Sequence, residues 1–249
     1  MAIRIGEIEA LFRYPVKSMA GEALDEAELG WHGVAGDRRL GLRRVGDRSG
    51  FPWLTATKLP ELLQYTPGRD AAQPLPSHVR TPDGRELELF GEELAADVSG
   101  RHGSPVEMTH LDRGIFDEAS VSAITAATVD ALSEAFHRGQ GGEGAARLDV
   151  RRFRPNLVLA TTRGEPFEED GWVGGTLSFG EGEEAASIAI TNWDVRCAMI
   201  NYDPDSGARS PKILETVVRE RDNKAGVYGA VVRRGILARG QPVYFTPAG

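Results

Sequence analysis

The sequence predicts a strand-rich, mixed α/β fold with a mostly antiparallel, barrel-like core. Many short stretches alternate apolar and polar residues with a period of two, which is the pattern of half-buried strands. Only one long stretch has clear helical spacing. The chain also contains 30 glycines and 14 prolines. They are spread along its length, as in a protein with many turns.

The alternating pattern predicts strands along the whole chain. They are Ile3–Phe12, Leu24–Leu29, Arg39–Val45, Leu87–Phe90, Asn156–Ala160, Thr176–Phe179, Ser187–Thr191, Val195–Tyr202, Val227–Arg233 and Pro242–Phe245. A short turn around Asn192–Asp194 is expected between two of them. The segment from Leu62 to Pro82 contains several prolines and predicts an excursion loop.

The helical pattern runs from about Ser122 to Phe136, where apolar residues recur three and four positions apart. Ser120 or Ser122 is the expected N-cap, because a side-chain oxygen at that place accepts a free backbone N–H. The pattern ends in GQGGEG at residues 139–144, a helix breaker. Ile213–Glu220 fits either a helix or a strand.

Composition and charge exclude several classes of protein. The formal net charge is −8 and there is no basic tract, so binding to nucleic acid or to an anionic membrane is not expected. No apolar run approaches the 18 or so residues of a membrane span, and the alternating N-terminus does not resemble a signal peptide. A single cysteine excludes an internal disulfide, a four-cysteine zinc site and an iron–sulfur cluster. We therefore expect a soluble, cytoplasmic enzyme or binding protein.

The sequence contains no reliable form of the common motifs for nucleotide cofactors, metal ions or catalytic nucleophiles. Gly139, Gly141 and Gly144 match the dinucleotide pattern G-x-G-x-x-G. They follow a predicted helix instead of preceding one, so NAD binding is rejected. The five histidines have no metal-ligand spacing, and the phosphate-loop and hydrolase-elbow motifs are absent.

Cys197 is the one residue with the chemistry of a nucleophile or a soft-metal ligand. It lies in the predicted strand Val195–Tyr202, and the turn-forming residues 203–207 follow that strand. The neighbouring Arg196 favours the thiolate, which is the reactive and metal-binding form. For a lone cysteine, packing as a small buried hydrophobe is the better supported interpretation.

Basic and polar side chains recur at three predicted turns. YPVKS at residues 14–18 carries Lys17 and Ser18, GDR at residues 36–38 carries Arg38, and RFRPN at residues 152–156 carries Arg154. Lysine, serine and arginine are suited to a phosphate. Each turn alone is more commonly a solvated surface feature. Together, in an acidic chain, they indicate one pocket for an anion.

These segments, in this order, resemble the MOSC family, named for the C-terminal domain of molybdenum cofactor sulfurase. Further matching segments are TATKLPEL at 55–62, ITAAT at 124–128, VRC at 195–197 and GQPVYF at 240–245. Thr57 stands where the family commonly has arginine. The resemblance implies an N-terminal MOSC-associated β-barrel domain over residues 1–95 and a MOSC domain over residues 96–249.

Within the family, the chain resembles amidoxime-reducing molybdenum enzymes and bacterial reductases of N-hydroxylated compounds. The resemblance implies a molybdenum–molybdopterin cofactor with Cys197 as the protein ligand to the metal. The residues implied to hold the pterin and phosphate are Lys17, Ser18, Arg38, Thr125, Arg154, Asn156 and Arg196. The cofactor's dithiolene supplies two sulfurs, so a chain with one cysteine is compatible with such an enzyme.

The leading hypothesis is an oxidoreductase that reduces N-hydroxylated small molecules. Its electrons must come from a separate ferredoxin- or flavoprotein-type partner, because one cysteine cannot hold an iron–sulfur cluster. Asp194 and Asp203 lie near Cys197 in sequence, and each is either a proton source or a plain turn residue. Two alternatives remain: a sulfur or cofactor carrier that uses Cys197 without turnover, and a non-catalytic anion-binding module.

Overall fold

A computed structural model describes residues 2–69, 75–141 and 146–248. Strands outnumber helices there, as predicted. In chain order the strands are β1 (Ile3–Arg13), β2 (Glu22–Leu24), β3 (Glu26–Gly30), β4 (Gly33–Val34), β5 (Leu40–Arg44), β6 (Thr66–Gly68), β7 (His78–Arg80), β8 (Glu86–Glu88), β9 (Val106–His110), β10 (Val121–Thr125), β11 (Leu157–Thr161), β12 (Thr176–Phe179), β13 (Ala186–Val195), β14 (Lys224–Arg233), β15 (Gly235–Ala238) and β16 (Pro242–Thr246). The α-helices are α1 (Glu92–His102), α2 (Ala126–Arg138) and α3 (Lys212–Arg221), and short 3-10 helices lie at Pro60–Gln64, Val150–Phe153, Glu168–Trp172 and Ala198–Asn201.

Seven of these strands form a closed barrel in the order β11, β10, β14, β13, β12, β16 and β1, with β1 pairing back onto β11. Six of the seven strand pairs are antiparallel, and β10 with β11 is parallel. This confirms the predicted strand-rich, barrel-like mixed fold. The first strand of the chain therefore completes a barrel that otherwise uses residues 121–246, while the division of the chain at residue 95 stays a prediction.

Three apolar cores hold the fold together. The first fills the barrel and includes Leu159, Leu177 and Ile188. The second lies under the two small sheets β5–β9 and β6–β7–β8 and helix α1. The third packs α2 and α3 against the outside of the barrel. The seam between the barrel and the second core is where the candidate site lies.

The helix predicted from Ser122 begins later, at Ala126, and the residues before it form β10. All five residues of β10 are buried, since strands lie on both sides of it and the first and third cores of the fold cover its faces. A strand that is buried on both faces has no polar alternation, so its apolar residues merge with the apolar pattern of the helix that follows. This explains why the helix was predicted to begin too early. Neither Ser120 nor Ser122 caps α2. Thr125 does, because its Oγ1 accepts a hydrogen bond from the Thr128 N–H at 3.1 Å.

The structure also corrects the prediction around Cys197. The expected turn at Asn192–Asp194 is wrong, because β13 runs without a break to Val195 and pairs with β14 through three register shifts. The predicted strand Val195–Tyr202 is also wrong, because a 3-10 helix occupies Ala198–Asn201. A β-bulge changes the direction of the side chains near the end of a strand. The chain therefore leaves the sheet just before Cys197, next to the last register shift of β13.

Other predictions are refined. The predicted strand Leu24–Leu29 divides into β2 and β3, and Ile213–Glu220 is helical in α3. Helix α1 was not predicted, because it buries only Leu94 and Val98. The predicted loop at 62–82 contains β6 and β7, and residues 70–74 lie outside the described ranges, as do residues 142–145 with Gly144. No helix in the described ranges combines the length and apolarity needed to cross a bilayer.

Candidate functional site

A cavity of about 640 Å³ lies between the barrel and the second core. Its walls come from the N-terminal region, from residues 117–118 and 152–154, from the end of β13 with the residues that follow it, and from Tyr228 in β14. Six of the eight predicted site residues line it: Lys17, Ser18, Arg38, Arg154, Arg196 and Cys197. Three separate basic turns and the single cysteine therefore meet at one place.

Cys197 lies in the cavity wall directly after β13 and is exposed. It precedes the 3-10 helix at Ala198–Asn201 and occupies its N-cap position. The alternative that Cys197 is a buried packing residue is therefore wrong. In the part of the chain that the structure describes, no three His, Cys, Asp or Glu side chains converge as a protein-only metal site requires.

Two arginines stack on one buried tyrosine ring. The guanidinium carbon of Arg154 lies 4.1 Å from the centre of the Tyr14 ring, and that of Arg38 lies 5.0 Å from it. Arg38 Nη2 also donates a hydrogen bond to the Arg154 carbonyl at 2.8 Å. Burial raises the pKa of the Tyr14 hydroxyl to about 12. The ring is thus a neutral platform that keeps two cations close together.

The two arginines differ in how their charge is compensated. Arg38 contacts the fully buried Asp37 at 2.5 Å, and although burial opposes it, this carboxylate raises the pKa of Arg38. Asp37 also accepts the Tyr14 backbone N–H at 2.7 Å, which fixes the turn. Arg154 donates to the Met19 carbonyl at 2.9 Å, and its Nη2 is buried without a partner among the described residues. Burial, with a smaller contribution from the nearby Arg38, lowers the pKa of Arg154 to about 10.

Lys17 reaches the cavity from the first basic turn. Its Nζ lies 2.7 Å from Asp117 Oδ1 and 5.5 Å from the centre of the Phe51 ring. Burial lowers the pKa of Lys17, and the Asp117 carboxylate partly opposes that effect. Since the side chain of Asp117 is 58% exposed, this pair can open to admit a competing anion.

Two further arginines leave N–H groups available. Arg196 donates to the carbonyls of Ala225 and Phe153, both at 2.7 Å, and its Nη2 has no partner among the residues described. Arg152 pairs with Asp203 at 2.7 Å and its Nη1 is likewise unpartnered. Buried N–H groups without acceptors are costly, so a bound anion would be favoured here.

Backbone conformation at the cavity is unusual as well. Ser18, Arg38 and Arg154 have φ angles of +67°, +49° and +49°. Non-glycine residues seldom adopt this region, and such strained residues cluster at functional sites. All three of the predicted basic turns thus contribute a strained residue to the same cavity.

Thr125 and Asn156, the other two predicted site residues, are not among the described residues that line the cavity. Thr125 is buried with Thr128 and Glu169, and its Oγ1 lies 2.9 Å from Glu169 Oε2. Asn156 lies behind Arg38, where its side chain accepts the Ser122 N–H at 3.1 Å and donates to the Phe12 carbonyl at 3.3 Å. Both residues brace the barrel wall next to the cavity.

Thr125→Ala is expected to lower the free energy of unfolding by about 1–3 kcal/mol, through loss of the helix cap and of a hydrogen bond to a buried carboxyl group. The pKa of Glu169 is raised by burial, and the hydrogen bonds that oppose this shift include one from Thr125. Urea denaturation of the cofactor-free chain measures the effect. A change below about 0.5 kcal/mol, which is the usual size of the effect of a surface substitution, would contradict this structural role.

Several lining residues were not identified from the sequence as members of a site. Phe51, Met199 and Tyr228 add two apolar side chains and one phenol. Asp194 is also in the wall, although the sequence left open whether it is a turn residue. Thr57 lines the cavity and bonds Thr55 at 2.8 Å, so the place where the family commonly has arginine is neutral here. No local motif marks these residues, because strand pairing brings them together.

The residues present fit an anionic cofactor that also needs a sulfur ligand. Three features share one cavity: arginine N–H groups that have no acceptor among the described residues, Arg154, which forms no ion pair with a described carboxylate, and an exposed thiol. Guanidinium groups bind phosphate bidentately, and a thiolate binds soft metals. The arrangement can therefore hold a phosphorylated group and place one sulfur on a metal.

Two family models match this chain. The profile of the MOSC domain matches residues 99–244, and the profile of the MOSC N-terminal beta barrel domain matches residues 5–121. Molybdenum cofactor sulfurase from Solanum lycopersicum is 35% identical over 99 residues, which are 39% of this chain and 11% of that protein. The chain therefore spans only a small part of that relative. Mitochondrial amidoxime reducing component 2 from Bos taurus is 25% identical over 298 aligned positions, covering 97% of this chain and 83% of that protein.

Solved structures share the fold. The crystal structure of the YUAD protein from Bacillus subtilis superposes with a TM-score of 0.54 at 14% identity, and the match covers 100% of both chains. At this identity the similarity concerns the fold alone.

Proposed function

The chain belongs to the MOSC family, and we propose that it is a molybdenum-cofactor-binding oxidoreductase that reduces N-hydroxylated small molecules with electrons from a separate partner protein. The observation that carries the proposal is that an exposed cysteine and Arg154, a cation that pairs with no carboxylate among the described residues, line one cavity. The relationship to an amidoxime reducing component supports the substrate class.

Each part of the cavity has a role in this proposal. Arg154, Arg38 and Lys17 hold the cofactor's phosphate and pterin, since all three cations line the cavity. Arg196 and Ser18 add hydrogen-bond donors in the cavity wall. Cys197 supplies the one protein sulfur, which is consistent with a cofactor that brings two of its own. When bound, the cofactor supplies a two-electron metal centre.

The remaining walls suit a small organic substrate. Phe51 and Val195 are exposed apolar side chains at the cavity, and Met199 lies beside them. They would pack on the hydrocarbon part of the substrate and exclude water from the N–OH group. The net reaction, R–NHOH + 2e⁻ + 2H⁺ → R–NH2 + H2O, needs an external two-electron source, for which we propose a ferredoxin- or flavoprotein-type donor. A cytoplasmic location remains part of the proposal.

Molybdenum content of the wild type and of Arg154→Met tests the proposal. Both are expressed with molybdate in a host that makes the cofactor, dialysed, and measured by elemental mass spectrometry. We expect near-stoichiometric molybdenum in the wild type and at least about a tenfold loss in the variant. A charge-assisted hydrogen bond contributes about 1.5–3 kcal/mol, and every 1.4 kcal/mol is a tenfold change in affinity.

The cofactor-free Arg154→Met chain should be as stable as wild type or more stable, because a buried cation without a carboxylate partner is removed. Arg43→Met is the control: Arg43 is half-exposed on β5, lies 3.6 Å from Glu107, and should keep its molybdenum. Reduction of an N-hydroxylated amidine with reduced methyl viologen should follow the molybdenum content. A wild-type protein without molybdenum from such a host would contradict the proposal.

A further inference from the structure

Asp194 is a buried carboxyl group in the cavity wall that holding the cofactor does not explain. It lies near the end of β13, three residues before Cys197, and is 2% exposed. Its Oδ2 lies 2.9 Å from Arg196 Nη1, and both residues line the cavity. A carboxyl group is therefore fixed in the wall of the same cavity that the Cys197 thiol lines.

The ion pair with Arg196 only partly compensates this carboxyl group. Arg196 is shared, because it also donates to the carbonyls of Ala225 and Phe153. Burial raises the pKa of Asp194 to about 6, against the opposing effects of Arg196 and Arg38. Of the other groups that face it, Asp117 raises the pKa further and Tyr228 lowers it. An acid of this strength holds its proton in weakly acidic solution and exchanges it near neutrality.

Other acids near the thiol are less suited to proton transfer. Asp203 Oδ1 accepts the N–H groups of Ser206 and Asp205 at 2.9 and 3.2 Å, as a turn residue does. Although partial burial acts in the opposite direction, these bonds and Arg152 lower its pKa. Tyr228, in the wall beside Asp194, has its pKa raised by burial and by the Asp194 charge, so it keeps its proton.

We propose that Asp194 is the catalytic acid that delivers a proton to the N–OH group of the substrate. This inference rests on the proposed function. In the reaction the N–O bond breaks, two electrons arrive from the separate redox protein, and two protons are consumed. One of these protons comes from the Asp194 carboxyl group, which is then reprotonated from solvent, and the oxygen leaves as water.

The test compares wild type, Asp194→Asn and Asp203→Asn for molybdenum content and for kcat between pH 5 and 9. Reduced methyl viologen serves as the electron donor, so that the natural partner is not needed. Asparagine has the same shape but no proton to give. We expect Asp194→Asn to keep wild-type molybdenum while kcat falls by about a hundredfold or more.

The pH profile separates catalysis from a structural effect. In the wild type and in Asp203→Asn, kcat should fall about tenfold per pH unit once pH passes the pKa of the acid, because only the protonated form donates. In Asp194→Asn this descending limb should be absent. A variant with wild-type kcat and the same limb would overturn the inference.

A second measurement does not depend on any variant. The assigned carboxyl carbon of Asp194 in the cofactor-free wild type should titrate near pH 6 by carbon-13 NMR, and a midpoint below pH 4 would overturn the inference. If the wild type holds molybdenum and reduces substrate while Asp194→Asn does so equally, only this inference fails. If the wild type holds no molybdenum, the proposed function fails and the inference with it.

Discussion

Cys197→Ser is expected to abolish reduction of N-hydroxylated compounds and to lower retained molybdenum at least about tenfold. Replacing groups that merely support a metal ligand already costs 10–100-fold in metal affinity or activity, so loss of the ligand itself should cost no less. A serine hydroxyl stays protonated near neutral pH and is a hard donor, whereas the thiolate is a soft one. The cations of the cavity remain, so some cofactor should stay bound.

The stability of this variant is the internal control. Because Cys197 is exposed, its replacement by serine should change the free energy of unfolding by less than about 0.5 kcal/mol. A loss of molybdenum with unchanged urea denaturation then reports the ligand and not the fold. Equal molybdenum in both proteins would remove Cys197 as an essential anchor.

The same pair of proteins separates the alternative functions. A sulfur carrier would show the mass of one added sulfur on wild-type Cys197 by intact mass spectrometry, without bound metal. A non-catalytic anion-binding module would bind its anion equally well with serine at this position. Neither outcome agrees with metal ligation by the thiolate.

The residues of the candidate site that lie on turns could be predicted from the local sequence. YPVKS, GDR and RFRPN predicted an anion pocket, and Lys17, Arg38 and Arg154 do line one cavity. The positive φ angles of Arg38 and Arg154 and the contacts of both residues with the Tyr14 ring were not predictable, because neither feature is visible in residue type. The turns also lie far apart in the chain, so only the closed barrel brings them together.

The rest of the site depends on strand register. Asp194 and Tyr228 enter the cavity because β13 and β14 pair through bulges, and sequence alternation alone does not locate a bulge. Thr125 was assigned to the site by resemblance, yet it caps α2 and bonds Glu169 behind the wall. Its neighbours in β10 are apolar on both faces, which hid the boundary between strand and helix.

Gly226→Ala is expected to lower the free energy of unfolding by about 2–5 kcal/mol. Gly226 has a φ of +87°, a conformation in which a side chain costs about 1–2 kcal/mol. An added Cβ would also lie 2.7 Å from the Ala123 carbonyl oxygen, in the backbone of the neighbouring barrel strand β10. Such overpacking costs about 1–3 kcal/mol more, because neither strand can move without opening the barrel.

Gly226 also lies next to Arg196, a residue of the candidate site. Its added Cβ would lie 3.1 Å from Arg196 Nη2, so the guanidinium that is paired with Asp194 would have to shift by a few tenths of an ångström. The control is Gly100→Ala in helix α1, where the Cβ meets nothing within 4 Å and alanine favours the helix by roughly 0.5–1 kcal/mol. Urea denaturation of both cofactor-free variants should therefore move in opposite directions from wild type. A Gly226→Ala chain as stable as wild type would mean that β14 does not approach β10 this closely, and the placement of Arg196 and Asp194 in the cavity wall would lose its support.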